Sequence, residues 1–359
     1  VTSSVPRARR SNTLSSSLGL GDKLFASSDE RRFARKIEDG LETVEAGLLK
    51  EMSFADDLAD VTSRYLLEAG GKRVRPVLTL LTAQLGSGSN DRVITSAEAI
   101  EITHLASLYH DDVMDDAQMR RGVPSAQAVW GNSVAILTGD LLFARASQLV
   151  AGLGEDAIKL QADTFERLCL GQLHETIGPR AGEDAIEHYL QVLADKTGSL
   201  IAAAAKVGVM FSDAPVEYQE PVVEFGEKIG VAFQLIDDVI DLSPQPEDTG
   251  KVPGTDLRSG VATLPLLYLR RLAATDPAAE ALLRRLERDA AADPAGDSGD
   301  ESRLTAAIAE LRDHEVTRQT LSEAHRWAAE AVAALAPLPG GPVKTALTRF
   351  ADSVVERSN

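Results

Sequence analysis

The chain has little from which to build a disulfide-stapled, membrane-spanning or nucleic-acid-binding protein. It carries one cysteine, Cys169, so no internal disulfide can form, and that scarcity fits a reducing compartment. Basic residues are few: 37 Lys and Arg stand against 55 Asp and Glu, a formal net charge of −18. Phosphate backbones recruit positive surfaces, so this balance argues against nucleic acid as a partner. Long uncharged apolar runs are missing too; the best stretch, Ser199 to Phe211, is short and holds Lys206. The expectation is a cytoplasmic chain with no transmembrane segment. Aromatic residues make up 4%, and β-branched alternation is scarce, which leaves little material for sheets.

What is there is helix. In 359 residues, 44% hydrophobic, Ala and Leu dominate and apolar positions recur at three and four from Asp29 onward. Breaks fall at Gly70-Gly71, Gly86 to Gly88, Gly122 to Pro124, Gly152 to Gly154, Gly178-Pro179, Ser243-Pro244 and Pro253-Gly254. This predicts an all-α fold, a large helical bundle forming one domain over 29–359. Residues 1–28 are Ser- and Arg-rich with no periodic apolar face and read as a disordered tail. Asp289 to Ser302 reads as an acidic surface loop.

One pattern occurs twice. Asp111-Asp-Val-Met-Asp115 and Asp237-Asp-Val-Ile-Asp241 share the form Asp-Asp-aliphatic-aliphatic-Asp, each at the end of an apolar helix. At 100° per residue Asp111 and Asp115 stack on one helical face, and His104 and Ser107 lie on the same stripe. Ala99, Ile102, Ala106, Tyr109 and Val113 form the packing side. Gln234, Asp237, Asp238 and Asp241 make the corresponding polar stripe on the second helix. A single acidic triplet is commonly a solvated face. Two, both flanked by apolar residues, point to function, because closely spaced carboxylates repel unless a cation intervenes. Oxygen ligands without a nearby cysteine favour Mg²⁺, with Mn²⁺ as the substitute. Mg²⁺ keeps waters and binds few carboxylates together with substrate phosphate, so a phosphorylated ligand is implied.

A cationic set accompanies the acids: Lys72, Arg73 and Arg75 after Gly70-Gly71, then Arg120-Arg121, Lys196-Thr197 and Lys251. Arginine forks and lysine point charges both suit phosphate. Gly70-Gly-Lys-Arg-Val-Arg-Pro76, the first aspartate cluster with Arg120-Arg-Gly122, Lys196-Thr-Gly198, and Phe233-Gln-Leu-Ile-Asp-Asp-Val-Ile-Asp241 with Gly250-Lys251 together resemble the trans-polyprenyl diphosphate synthases, in order, from about Phe33 to Phe350.

The resemblance implies an isoprenoid-synthase bundle with a central cavity, a homodimer, and head-to-tail joining of an allylic diphosphate to isopentenyl diphosphate through an allylic carbocation. It makes Asp111, Asp115 and Asp237 direct Mg²⁺ ligands, with Asp112, Asp238 and Asp241 orienting metal-bound waters. Arg120, Lys196 and Lys251 would hold the allylic diphosphate, and Lys72, Arg75, His104 and Arg121 the isopentenyl diphosphate. Thr197 and Gln234 would line the cation site together with Lys196 and Lys251. Many relatives read Gly-Lys before Thr263-Leu-Pro265, whereas this chain has Gly260-Val261.

The growing chain is expected to run along the helix of Asp111, past Ala106 and Ser107. Both are small where short-chain relatives often carry aromatics, so a product beyond the geranylgeranyl length is expected, for quinone or other isoprenoid biosynthesis. An aromatic at Ala106 should shorten it. A greasy product also implies transient contact with a membrane on release. Three rivals fit less well. A metal-dependent phosphohydrolase leaves the basic motifs unexplained, a terpene cyclase normally lacks the second full cluster, and a non-catalytic subunit of a heteromeric synthase should show eroded aspartates.

Overall fold

The computed structural model describes residues 28–243, 253–290 and 298–358. The first helices are α1 (Ser28–Glu51), α2 (Asp57–Glu68), α3 (Val74–Ala83) and α4 (Asp91–Met114). A short antiparallel ladder, β1 (Met119–Arg120) with β2 (Val123–Pro124), interrupts them before α5 (Ala126–Trp130), α6 (Asn132–Ala151) and α7 (Glu155–Ile177). Then come α8 (Ala185–Leu193), a π-helical turn (Ala194–Gly198), α9 (Ser199–Phe211) and α10 (Gln219–Asp241). The last are α11 (Thr255–Arg258), α12 (Leu264–Ala273), α13 (Pro277–Ala290), α14 (Ser298–Asp313), α15 (Glu315–Ala334) and α16 (Pro342–Val355). The all-α expectation holds. The acidic stretch from Asp289 is not all loop: α13 runs to Ala290 and α14 starts at Ser298, with 291–297 outside the described residues. Residues 1–27 of the expected tail also lie outside them, and Ser28 opens α1.

Side-chain caps set several helix starts, each supplying an acceptor to orphan amides of the first turn. Asp56 accepts from Leu58 and Ala59 N–H, Asn90 from Arg92 and Val93, and Asp184 from Ile186 and Glu187.

Two compact units form. Among the described residues the first comprises 28–166, 200–226 and 334–350, and the second 167–199, 227–243, 253–290, 298–333 and 351–358. The core of the first gathers Leu48, Met52, Leu66, Ile102, Leu105, Tyr109 and Leu142. Helix α4 is buried on most of its circumference, polar residues included, so it is the central rod of this unit. The small residues Ala204 and Ala205 let α9 approach α3 closely, where Thr79 and Thr82 hydroxyls donate to their carbonyls at 2.8 and 2.9 Å. The core of the second unit is built by Leu257, Leu266, Leu269, Leu282, Leu286 and Ile308.

Among the described residues one helix, α6, is long and apolar enough to cross a membrane by length and composition. Ala135, Leu142 and Ala146 of this helix enter the core of the first unit, while Ile136 and Leu137 are exposed.

Glu98 is a buried carboxyl in the middle of α4, lying against Gly47 of α1, where any Cβ would collide with it. Burial, then Glu51, push its pKa up to about 7, with Lys50 opposing. The folded state therefore keeps a proton that the unfolded chain has already lost above its ordinary value near 4.5. Stability should fall as pH rises from about 4.5 to 7, by an amount on the order of 2–3 kcal/mol. Thermal melts across that range should show the slope, and Glu98→Gln should flatten it.

Candidate active site

The first aspartate cluster ends α4. Asp111 is half-buried and Asp115, which closes the helix, is exposed. The C-terminal carbonyls of a helix carry partial negative charge, so two carboxylates placed there make a site for a cation. Asp112 points the other way. Its side chain is 0% exposed, and Oδ1 accepts from Arg120 Nε at 2.6 Å. Burial raises its pKa against the pull of Arg120, and Oδ2 has no hydrogen-bond partner. The three aspartates thus divide into two facing outward and one facing inward.

The ladder that follows is a hairpin turned at Arg121-Gly122, both with positive φ (54° and 77°). That is the mirror-image two-residue turn matching strand twist, which a non-glycine residue enters at a cost. It aims two arginines. Arg120 returns to Asp112, while Arg121 Nη1 donates to the carbonyls of Leu66 (2.8 Å) and Gly70. At Gly71 a Cβ would sit 2.6 Å from Arg73 Nη1 and 3.0 Å from Arg121, so only glycine lets the chain pass between the two guanidinium groups.

A basin of guanidinium groups results. Arg73, Arg75, Arg120 and Arg121 all act electrostatically on His104. Burial first, then those four cations, hold the imidazole well below its ordinary pKa, so His104 is neutral at physiological pH. Burial pushes the Arg121 pKa down to about 10, with Glu101 opposing and the other arginines adding to the depression. Arg75 is lowered by burial as well, and its Nε is buried with no hydrogen-bond partner. Arg73, 5% exposed, has a different place. It binds Glu45 at 2.5 Å, Glu101 at 3.4 Å and the Leu67 carbonyl at 3.1 Å, and so belongs to the frame of the basin. Lys72 is exposed at its edge. Cations outnumber carboxylates here, which is the electrostatic signature of a site for a polyanion.

The second cluster ends α10 in the same manner. Asp237 and Asp241 are half-buried, and Asp238 is buried. Tyr189 donates to Asp238 Oδ2 at 2.8 Å and Leu264 N–H to the same oxygen at 3.3 Å. Burial, aided by Asp256 and Asp237, pushes Asp238 up to about 8 despite those bonds, so it keeps a proton near neutral pH. Asp241 Oδ2 accepts from Asp256 N–H at 3.1 Å. Gln234 is half-buried one turn earlier. Lys196 sits in the π-helical turn, with Nζ 2.5 Å from Glu175, and Thr197 follows it half-buried. Arg167 straps that turn through Asp195 at 2.8 Å and Glu227 at 2.5 Å. Lys251 lies outside the described residues. Val261 is 40% exposed, and Arg258 Nε donates to the Pro253 carbonyl.

Sequence reasoning missed Tyr189, Arg167 and Arg357, whose Nη2 lies 3.1 Å from Asp237 and whose guanidinium covers the Phe233 ring. All three meet residues distant in the chain. Only the π turn left a local trace, in the Lys-Thr-Gly that closes it.

Among the described residues no three His, Cys, Asp or Glu side chains converge into a protein-only metal cage. A small apolar cavity of about 20 Å³ flanks α4 at Ser96, Ala99, Ile100 and Thr103. Ala106 is fully buried among core residues, and the Ser107 hydroxyl donates to the His104 carbonyl; neither lines this cavity.

A guanidinium basin and a greasy cavity on one helix define a class of protein that handles ligands with a phosphate head and a hydrocarbon tail. The family model described as polyprenyl synthetase matches residues 56–295. Nonaprenyl diphosphate synthase of Mycobacterium tuberculosis (strain ATCC 25618 / H37Rv) is 42% identical, over 96% of this chain and 98% of that protein. The crystal structure of polyprenyl synthase from Caulobacter crescentus CB15, complexed with calcium and isoprenyl diphosphate, superposes with a TM-score of 0.79 at 31% identity, covering 92% of this chain and 98% of that one. A decaprenyl diphosphate synthase from Rhodobacter capsulatus gives 0.78 at 32% identity, over 92% and 99%. The chain belongs to the polyprenyl synthetase family and is a trans-polyprenyl diphosphate synthase, a prenyltransferase.

Proposed function

We propose that this protein, with residues 29–359 acting as one catalytic domain, extends an allylic diphosphate with isopentenyl diphosphate units to a trans polyprenyl diphosphate longer than geranylgeranyl, for quinone or other isoprenoid biosynthesis. The observation that carries the reading is a shared rod: α4 bears Asp111, His104 of the guanidinium basin and four residues of the apolar cavity. Long-chain relatives, the nonaprenyl synthase among them, support the product class.

In this reading Asp111, Asp115 and Asp237 hold Mg²⁺ or Mn²⁺, supported by their outward placement at helix C-termini. The ion supplies charge neutralisation for the departing diphosphate. Asp112, Asp238 and Asp241 orient water from behind; Asp112 and Asp238 are held there by Arg120 and Tyr189, and Asp241 by the Asp256 amide. Arg120, Lys196 and Lys251 grip the allylic diphosphate. Lys72, Arg75, Arg121 and the neutral His104 hold isopentenyl diphosphate without metal, His104 contributing a hydrogen bond where a fifth cation would repel. Thr197 and Gln234 turn dipoles toward the allylic cation and offer it no strong nucleophile. Water that would quench that cation has to be kept from it during the reaction. Ala106 and Ser107 lie between Asp111 and the cavity in chain order, and their small size is the sequence feature behind the long-product reading.

A homodimer is part of the proposal, supported by exposed Ile136 and Leu137 at the start of α6 and exposed Leu173 and Ile177 at the end of α7, apolar side chains that a second copy would cover. Cytoplasmic location, with transient membrane contact as product leaves, accords with the single cysteine and the greasy product. The test is incubation with Mg²⁺, isopentenyl diphosphate and each allylic primer in turn, with mass analysis of products. Chains longer than geranylgeranyl are expected. Phosphate release without chain growth would point to a phosphohydrolase, and cyclised hydrocarbon to a cyclase.

A further inference from the structure

The guanidinium basin contains a buried carboxylate, although such a group repels an anionic ligand. Glu101 sits on α4 three residues before His104, so the two side chains are neighbours on the helix surface. It is 2% exposed. Its Oε1 lies 3.4 Å from Arg73 Nη1, while Oε2 is buried with no hydrogen-bond partner. A buried carboxylate kept only for structure normally has both oxygens bonded. Arg73 Nη1 also donates to the Gly70 carbonyl at 3.4 Å, and Arg121 Nη1 donates to the same carbonyl, so two guanidinium groups meet at one acceptor. Asp112 is paired with Arg120 and Glu45 with Arg73, whereas Glu101 acts on Arg73, Arg75 and Arg121 together.

We infer that Glu101 is the resident anion of the basin: it holds the arginines together while the site is empty, and it weakens their grip on diphosphate so that the site can empty again. The inference rests on the elongating prenyltransferase reading above. In each round of that reaction the allylic C–O bond breaks, a C–C bond forms to the isopentenyl unit, and a proton from that unit passes to the released pyrophosphate. The lengthened chain therefore carries the diphosphate that entered with the isopentenyl unit. That head stands in the basin when the round ends, and it must leave before another isopentenyl diphosphate can enter. Clustered arginines with no internal anion would repel one another when the site is empty and detain a diphosphate when it is full. A buried carboxylate opposes both effects, as a counter-charge in the empty state and a rival to the ligand in the filled one. Glu101 is thus a positioning residue, acting through Arg73, Arg75 and Arg121.

The full chain, Glu101→Gln and Glu101→Asp are compared by calorimetric titration with inorganic pyrophosphate in the absence of divalent ions, by steady-state kinetics with isopentenyl diphosphate, and by thermal melts. Glu101→Gln should bind pyrophosphate more tightly by about tenfold, the modest end of what one close charge contributes to binding. Its KM for isopentenyl diphosphate should fall together with kcat, a pattern that damaged packing does not produce. Its ligand-free melting temperature should drop, and saturating pyrophosphate should raise it by more than in the parent, because the ligand supplies the missing anion. Glu101→Asp keeps the charge and should tighten binding far less than the amide. Should the amide variant fold poorly, pyrophosphate in the buffer is expected to restore it; a variant that stays unfolded there overturns the inference and makes Glu101 purely structural. Weaker or unchanged pyrophosphate binding in Glu101→Gln, or equal tightening in both variants, overturns it as well, with product formation by the parent untouched. A parent that binds pyrophosphate but incorporates no isopentenyl units would instead overturn the functional reading on which the inference stands.

Discussion

Asp111→Asn is expected to slow isopentenyl incorporation by about 10³-fold, the scale on which a preorganised electrostatic contact acts in the transition state. It should leave the fold intact. Asp111 is half-buried in the last turn of α4, four residues before exposed Asp115, and both crowd the negative end of the helix. The amide keeps the shape of this partly exposed side chain, so the melting temperature should change little. Asp112→Asn, one residue on, should behave differently. Its side chain is fully buried and paired with Arg120 at 2.6 Å, so the change weakens a buried charged hydrogen bond at a cost of about 1–3 kcal/mol. Calorimetric Mn²⁺ titration and thermal melts separate the two: Asp111→Asn should lose ion affinity at constant stability, and Asp112→Asn should lose stability. A melting temperature for Asp111→Asn well below that of the parent would make it a structural residue and remove it from the ion site.

Arg75→Gln should raise KM for isopentenyl diphosphate by about 10²-fold, as removal of one partner from a buried charged contact does in other recognition sites. The reason lies in what Arg75 lacks. Its Nε is buried without a hydrogen-bond partner, and burial lowers its pKa against the pull of Glu101, so the guanidinium is costly to keep in the protein without its ligand. The cost is shared, since Arg121 is depressed to about 10 in part by its arginine neighbours. Removing Arg75 should therefore leave thermal stability unchanged or improved while substrate affinity falls, the trade expected where binding groups are held in mutual repulsion. Steady-state kinetics at saturating allylic diphosphate, beside thermal melts, measure both halves. An unmoved KM, or a rise in KM matched by a lower melting temperature, would assign Arg75 to the frame beside Arg73. For Arg73 the reverse is expected, because its guanidinium already binds Glu45, Glu101 and the Leu67 carbonyl.

That contrast marks how far the site can be read from residues in order. Lys72, Arg73 and Arg75 look alike in the sequence, as three cations after a glycine pair. Which of them meets ligand and which holds the frame depends on Glu45 and Glu101, neither adjacent in the chain and both brought in by helix packing. The aspartate clusters were more legible. Helical spacing alone put Asp111 and Asp115 on one face, but it also put Asp238 on the polar stripe with Gln234, Asp237 and Asp241, whereas packing buries both Asp112 and Asp238. Tyr109 was legible on the same ground and lies in the core. The hairpin that aims Arg120 and Arg121 was not, since it holds Arg121, a non-glycine residue, at positive φ against local preference.

The order of residues by itself settled the helical class, the two acidic helix ends and the abundance of cation beside them, because each follows from spacing within a few turns. Tertiary packing alone decided the rest: the inward partners Arg120 and Tyr189, the π-helical turn strapped by Arg167, and a cavity whose walls come from α4, α6, α7 and α9. Periodicity tells a side chain which way to face from its own helix axis. It carries no term for what waits on the other side, and in this protein the charge of a neighbour decides whether an arginine is frame or grip.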